Sequence, residues 1–99
     1  MEHKIIPATW KSKESLFGII KEHEKQQWSV AANGEVFGGD ILILVKDGNS
    51  YTHEMIPIMF KTKDKLNEVI AEKIGEGWQV ASIGECFGSA VMIVKKQMP

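Results

Sequence analysis

The side chains able to do chemistry fall at matched places in two halves of the chain. Lys11 and Lys13 in the first half, and Lys61 and Lys63 in the second, bracket a hydroxyl residue, Ser12 or Thr62, that is followed two positions on by an acid, Glu14 or Asp64. That pattern predicts a helix start, with the hydroxyl as N-cap and the carboxylate in the first turn. Ammonium groups beside the free N–H groups of a helix start can hold a phosphate or another small anion, so these four lysines are the candidate ligand-binding residues. No glycine-rich phosphate loop accompanies them, and a solvated loop whose acids already balance the lysines is the preferred reading. His3 and His53 open strands, and Glu35 and Glu85 follow glycines in hairpins, but nothing in their spacing makes them converge on a metal ion. His23 reads as helix surface. Cys86 stands where the first half has Val36, which suits a small core hydrophobe better than a nucleophile lacking a positioned histidine. Trp10, aligned with Phe60, and Phe37, aligned with Phe87, could stack a flat ligand, yet they are read as core, as are Met55, Met59 and Met92. With no acid/base or nucleophile constellation legible, the expectation is a protein that is not an enzyme and has no cofactor or metal.

The matching is an internal duplication. Trp78 to Gly88 rewrites Trp28 to Gly38, and the same ungapped register aligns Ile6-Pro7 with Ile56-Pro57, Leu16 with Leu66, Ile20 with Ile70 and Glu22 with Glu72. Each copy begins with a strand around Ile5 to Trp10 or Met55 to Phe60, whose proline cannot donate to a ladder and therefore predicts a sheet edge or a bulge. Helices follow. Leu66, Val69, Ile70 and Ile74 form one apolar stripe, whereas the first copy keeps Leu16, Ile19 and Ile20 but has Glu24 where Ile74 stands, and carries Gly18 inside the helix. The first helix is expected to be the weaker. Gly75-Glu76-Gly77 offers a C-cap able to take positive φ, while Lys25-Gln26-Gln27 predicts a different ending for the first helix.

Second strands run from Trp28 and from Trp78, alternating large apolar with small or polar residues, and each tryptophan is expected beneath its own helix. The third strands, Ile41 to Val45 and Ala90 to Val94, are apolar at every position and so predict a central strand covered on both faces. The intervening turn falls either at Asn33-Gly34 or at Phe37 to Gly39. Asp47 to Ser50 is rich in turn formers.

The expected fold is thus α+β: two tandem βαββ repeats, 1–46 and 51–96 with linker 47–50, making one compact domain over 1–99. Two helices shield only one face of each sheet. The surplus apolar surface predicts antiparallel sheets with helices on the outer face and sheet-on-sheet or barrel-like packing, or else one open six-stranded sheet that dimerises. At 99 residues, 43% hydrophobic and 25% charged, with a net charge of −1, the chain has ordinary globular composition and no field that would draw nucleic acid or an acidic membrane. One cysteine permits no internal disulfide, and no apolar run is long enough to cross a bilayer or serve as a signal peptide, so a cytoplasmic location is expected.

Gly77, Trp78 and Val80, matched by Trp28 and Val30, together with a last strand ending in Lys95-Lys96, resemble a family of small bacterial domains of unknown function, about fifty residues long, with a Gly-Trp-x-Leu/Val segment after the helix. The resemblance covers nearly the whole chain as two tandem copies. It implies a strand-helix-strand-strand fold and carries no activity. The functional expectation is therefore a non-enzymatic binding or assembly module whose apolar sheet face makes a homo-oligomer or docks another protein; the alternative is a small-ligand binder for an anion, a nucleotide or a flat aromatic.

Overall fold

The computed structural model describes residues 1–86 and 89–99. Phe87 and Gly88, and the side chains of Glu85, Cys86 and Ser89, lie outside the described residues, and with them the readings of Cys86 and Phe87 as core and of Glu85 as a possible ligand. The chain is α+β, with the order strand, helix, strand, strand written twice. The elements are β1 (Glu2–Pro7), α1 (Lys13–Glu24), β2 (Ser29–Val36), β3 (Gly39–Lys46), β4 (Tyr51–Pro57), α2 (Lys63–Gly75), β5 (Gln79–Cys86) and β6 (Ser89–Gln97). They form two separate three-stranded antiparallel sheets, β1-β3-β2 and β4-β6-β5, instead of a single six-stranded one.

The prolines end edge strands, and the all-apolar third strands are central, as their composition requires. Both helices start where the hydroxyl residues stand. Ser15 N–H donates to Ser12 Oγ, and Lys65 N–H to Thr62 Oγ1, at 3.1 Å each. The two helix ends close alike, contrary to the sequence expectation. Gln27, at φ 68°, takes the left-handed conformation that Gly77 adopts at φ 94°, and Trp28 N–H bonds His23 O as Trp78 N–H bonds Lys73 O. A tryptophan that must dive under its helix fixes the turn, and the first copy does so without glycine. The first hairpin turns at Phe37-Gly38, between Val36 and Gly39. Each second strand carries a bulge, between Val30 and Ala32 and between Val80 and Ser82.

One core cluster joins Leu16 and Ile20 of α1, Trp28, Val30, Leu42 and Leu44 to Val91 and Ile93 of the second sheet. A smaller one sets Leu66, Val69, Ile70 and Trp78 against Ile58, Met92 and Val94. Neighbouring positions of β6 therefore serve different clusters: Met92 and Val94 face α2, and Val91 and Ile93 face the first half of the chain.

Several aromatic and methionine positions read as core are instead on the surface. Trp10, Phe60 and Phe37 are exposed, as are Val36 and Met59, while Met92 is buried and Met55 half-buried. Trp10 and Phe60 lie at φ 65° and 68° in the turn ahead of each helix, and Phe37 occupies the two-residue hairpin loop. These are turn positions, where the chain reverses at the surface.

Candidate functional site

Among the described residues, two surfaces meet the requirement of a site: a buried polar junction between the halves, and an apolar face that the fold leaves open. The junction is built on β4 and β6, whose paired residues His53 and Lys95 point away from α2. Both are buried. His53 Nε2 lies 3.1 Å from the Val30 N–H and must accept from it, since an amide only donates; Nδ1 therefore carries the proton and donates to Glu24 Oε2 at 2.9 Å. The same carboxylate oxygen accepts the His53 N–H at 2.6 Å. Lys21 completes the arrangement, donating to both Glu24 oxygens at 3.2 and 3.3 Å and to His53 O at 3.0 Å.

Lys95 Nζ donates to Val30 O at 2.9 Å and Ser29 Oγ at 3.2 Å, with the Tyr51 ring 4.8 Å below it. The N–H and C=O of Val30, on an edge strand beside a bulge, are thus satisfied by two side chains from the other sheet. Tyr51 donates in turn to Asp47 Oδ2 at 2.9 Å. Burial pushes the His53 imidazole below its usual range against the opposing pull of Glu24, and burial likewise lowers Lys95. The hydrogen bond to Asp47 raises the Tyr51 phenol, and the bond from Asn49 N–H lowers the Asp47 carboxyl.

Chemically this junction holds and does not react. Both nitrogens of His53 are engaged and its side chain has no exposed surface, so it presents no free lone pair to a substrate. Among the described residues no group of three or more His, Cys, Asp or Glu could hold a metal ion.

The sequence-level candidates lie elsewhere and apart. Lys11 and Lys13 precede and open α1, Lys61 and Lys63 precede and open α2; the first pair is half-buried and the second exposed. His3 and Glu35 are exposed, and His53, their supposed partner type, is buried with Glu24. His23 is tied to its own helix, its Nδ1 2.8 Å from Ile19 O. Sequence reasoning missed the Glu24–His53 pair because its members are 29 positions apart. The available signal was Glu24 itself, an acid set in an apolar helix stripe.

The second surface is the face of the first sheet opposite Leu42 and Leu44. Register places Ile41, Ile43 and Val45 of β3 beside Pro7, Ile5 and His3 of β1. Ile5 is 55% exposed, and Ile41, Ile43 and Val45 are half-buried. Comparison with known proteins found no matching family model, no matching curated protein and no matching solved structure.

Proposed function

We propose that the chain is a non-enzymatic assembly module that docks a second protein surface on the open face of its first sheet. One observation carries this: the matching face of the second sheet is buried, with Val91 and Ile93 at 2% and 1% exposure, whereas Ile41, Ile43 and Ile5 have no such cover. The first core cluster, which joins Leu16 and Ile20 of α1 to Leu42 and Leu44 of one sheet and Val91 and Ile93 of the other, supports a layered body with α1 between the sheets and α2 alone outside, a different arrangement from sheet-on-sheet packing with both helices on the outer face. A row of branched apolar residues on one face of a sheet is a surface that water disfavours and another apolar layer satisfies. The resemblance to small bacterial domains of unknown function and a cytoplasmic location are compatible with this reading and belong to it as proposals.

The test is light scattering together with apolar-dye fluorescence on the purified chain and on Ile43→Lys. The reading predicts either a mass above one chain or dye binding, and loss of whichever is seen in the variant. A strict monomer at tens of micromolar that binds no dye contradicts it. A second reading, a small anion or flat ligand at the helix starts, has in its favour the exposed rings of Trp10 and Phe60 next to Lys11 and Lys61. A thermal-shift panel of phosphates, nucleotides and flavins with no response at millimolar ligand ends it, since saturating ligand adds roughly 2.7 kcal/mol at 100 times Kd.

A further inference from the structure

Three exposed aromatic rings sit at turns, and the fold gathers those turns at one end of the molecule. β2 and β5 run side by side in the same direction: Lys95, paired with Gln79 at the start of β5, reaches Ser29 and Val30 at the start of β2, and Gly84 lies against Asn33 further along both strands. The far ends of β2 and β5 are therefore neighbours. The turns ahead of the helices join them there, because Ala8 N–H bonds Asp40 O at the start of β3, and Ile58 N–H bonds Ala90 O at the start of β6. Asp40 N–H also donates to Thr9 Oγ1 at 2.8 Å, which ties the Trp10 turn to the Phe37 hairpin.

Trp10, Phe37 and Phe60 are 83%, 108% and 95% exposed at this end. At the opposite end Trp28 is buried and Trp78 half-buried, each with two lysines over its ring. The contrast is informative because the exposed rings are held against local preference. Trp10 and Phe60 both take the left-handed backbone that any residue with a Cβ disfavours, and bulky ones most. Both copies place an aromatic residue where glycine would relieve the backbone, and burial inside the fold returns little for either. A side chain strained in place and left in water gains its free energy from something outside the chain.

The rings rise from three separate turns, and Lys61 and Lys63, both exposed, follow Phe60. A protein partner needs one continuous apolar patch, whereas the interfacial zone of a bilayer accepts rings singly at a common level, with ammonium groups beside them at the lipid phosphates. The acids Glu14, Glu35, Asp40 and Asp64 lie toward the same end, and the net charge is −1, so there is no long-range attraction and the inserted rings supply most of the affinity. We infer that this end of the protein rests on an anionic lipid bilayer, with Trp10, Phe37 and Phe60 inserted at the interface and Lys61 and Lys63 against the lipid phosphates. The contact is separate from the open sheet face and does not depend on the docking reading.

The experiment is co-flotation of the full chain with vesicles of phosphatidylcholine alone and of phosphatidylcholine mixed with phosphatidylserine. Compared with the wild type are the triple variant Trp10→Gly, Phe37→Ser, Phe60→Gly, the double variant Lys61→Gln, Lys63→Gln, and Ile43→Lys, with circular dichroism confirming that each is folded. Glycine suits the left-handed backbone, so removing the rings leaves the turns intact. The wild type is expected to float with the mixed vesicles. Each ring removed singly should weaken binding about tenfold, and the triple variant should stay below the vesicles. The lysine variant should lose about tenfold on the mixed vesicles only, and Ile43→Lys should bind at least as well as the wild type. A wild type that floats with neither vesicle overturns the inference and leaves the docking reading untouched; apolar-dye binding that then falls in the triple variant assigns the rings to a protein partner instead. Flotation that survives the triple variant, or fails in Ile43→Lys, overturns the end-on contact. Release of the wild type by millimolar inorganic phosphate also overturns it, by assigning the lysines to a soluble anion.

Discussion

The two halves share a pattern of residues and differ in what lies over it. In the first, Leu16, Ile20, Trp28 and Val30 are at 4%, 1%, 7% and 0% exposure; their counterparts Leu66, Ile70, Trp78 and Val80 are only half-buried. For the third strands the order reverses: all of Val91 to Val94 are buried, but only alternate residues of β3 are. The helix with the poorer sequence is the better covered one. Intrinsic propensity contributes a few tenths of a kcal/mol per residue, whereas removing a leucine side chain from water contributes about 2 kcal/mol, so position between layers outweighs helix-forming tendency.

The largest test of that difference is the pair of tryptophans. Trp28→Ala should cost about 3–5 kcal/mol as a large-to-small core change, and Trp78→Ala at least about 1 kcal/mol less, measured by urea denaturation. Equal losses would mean that the two helices are equally covered. Next is the position where the copies diverge. Glu24→Ala strands the buried His53 ring N–H and its backbone N–H, and should cost about 2–3 kcal/mol. At concentrations that keep the chain monomeric, Ile74→Ala should change stability by less than about 1 kcal/mol, since this side chain is largely in water.

A pH titration of stability sharpens the same point. His53 is held neutral in the fold with its pKa lowered, so the unfolded chain binds the proton first as pH falls through about 6.5. Stability is complete above that pH and declines below it, by up to about 1.4 kcal/mol per pH unit until the folded form also protonates. His53→Gln should be less stable at neutral pH and lose that part of the slope. The smallest effect lies at the helix ends. Gln27→Gly should stabilise by about 0.5 kcal/mol by relieving the left-handed backbone, while Gly77→Ala should destabilise by about 1 kcal/mol, in thermal melts of each.

The sequence carried what depends on neighbours in the chain. Ser12 and Thr62 marked the helix starts, Pro7 and Pro57 the edge strands, and the unbroken apolar runs of β3 and β6 the sheet centres. It could not decide between Asn33-Gly34 and Phe37-Gly38 as the turn, because glycine serves either place and register across the sheet makes the choice. Nor could it place Trp10, Phe37 and Phe60, whose hydrophobicity argued for a core that the turn geometry denies them. The junction was hidden for another reason. Glu24 interrupted an apolar helix stripe and His53 stood at a strand, 29 positions away, and only the packing of α1 against β4 brings them together as a pair.

The central claim is that one face is covered in the second sheet and open in the first, and the equivalent positions Ile93 and Ile43 report on it directly. Lysine at each, followed by circular-dichroism melts at low micromolar chain, separates the cases. Ile93→Lys should lose its cooperative transition, and Ile43→Lys should melt near the wild-type monomer. If both variants melted normally, or both failed to fold, the two faces would be alike and the account would be contradicted.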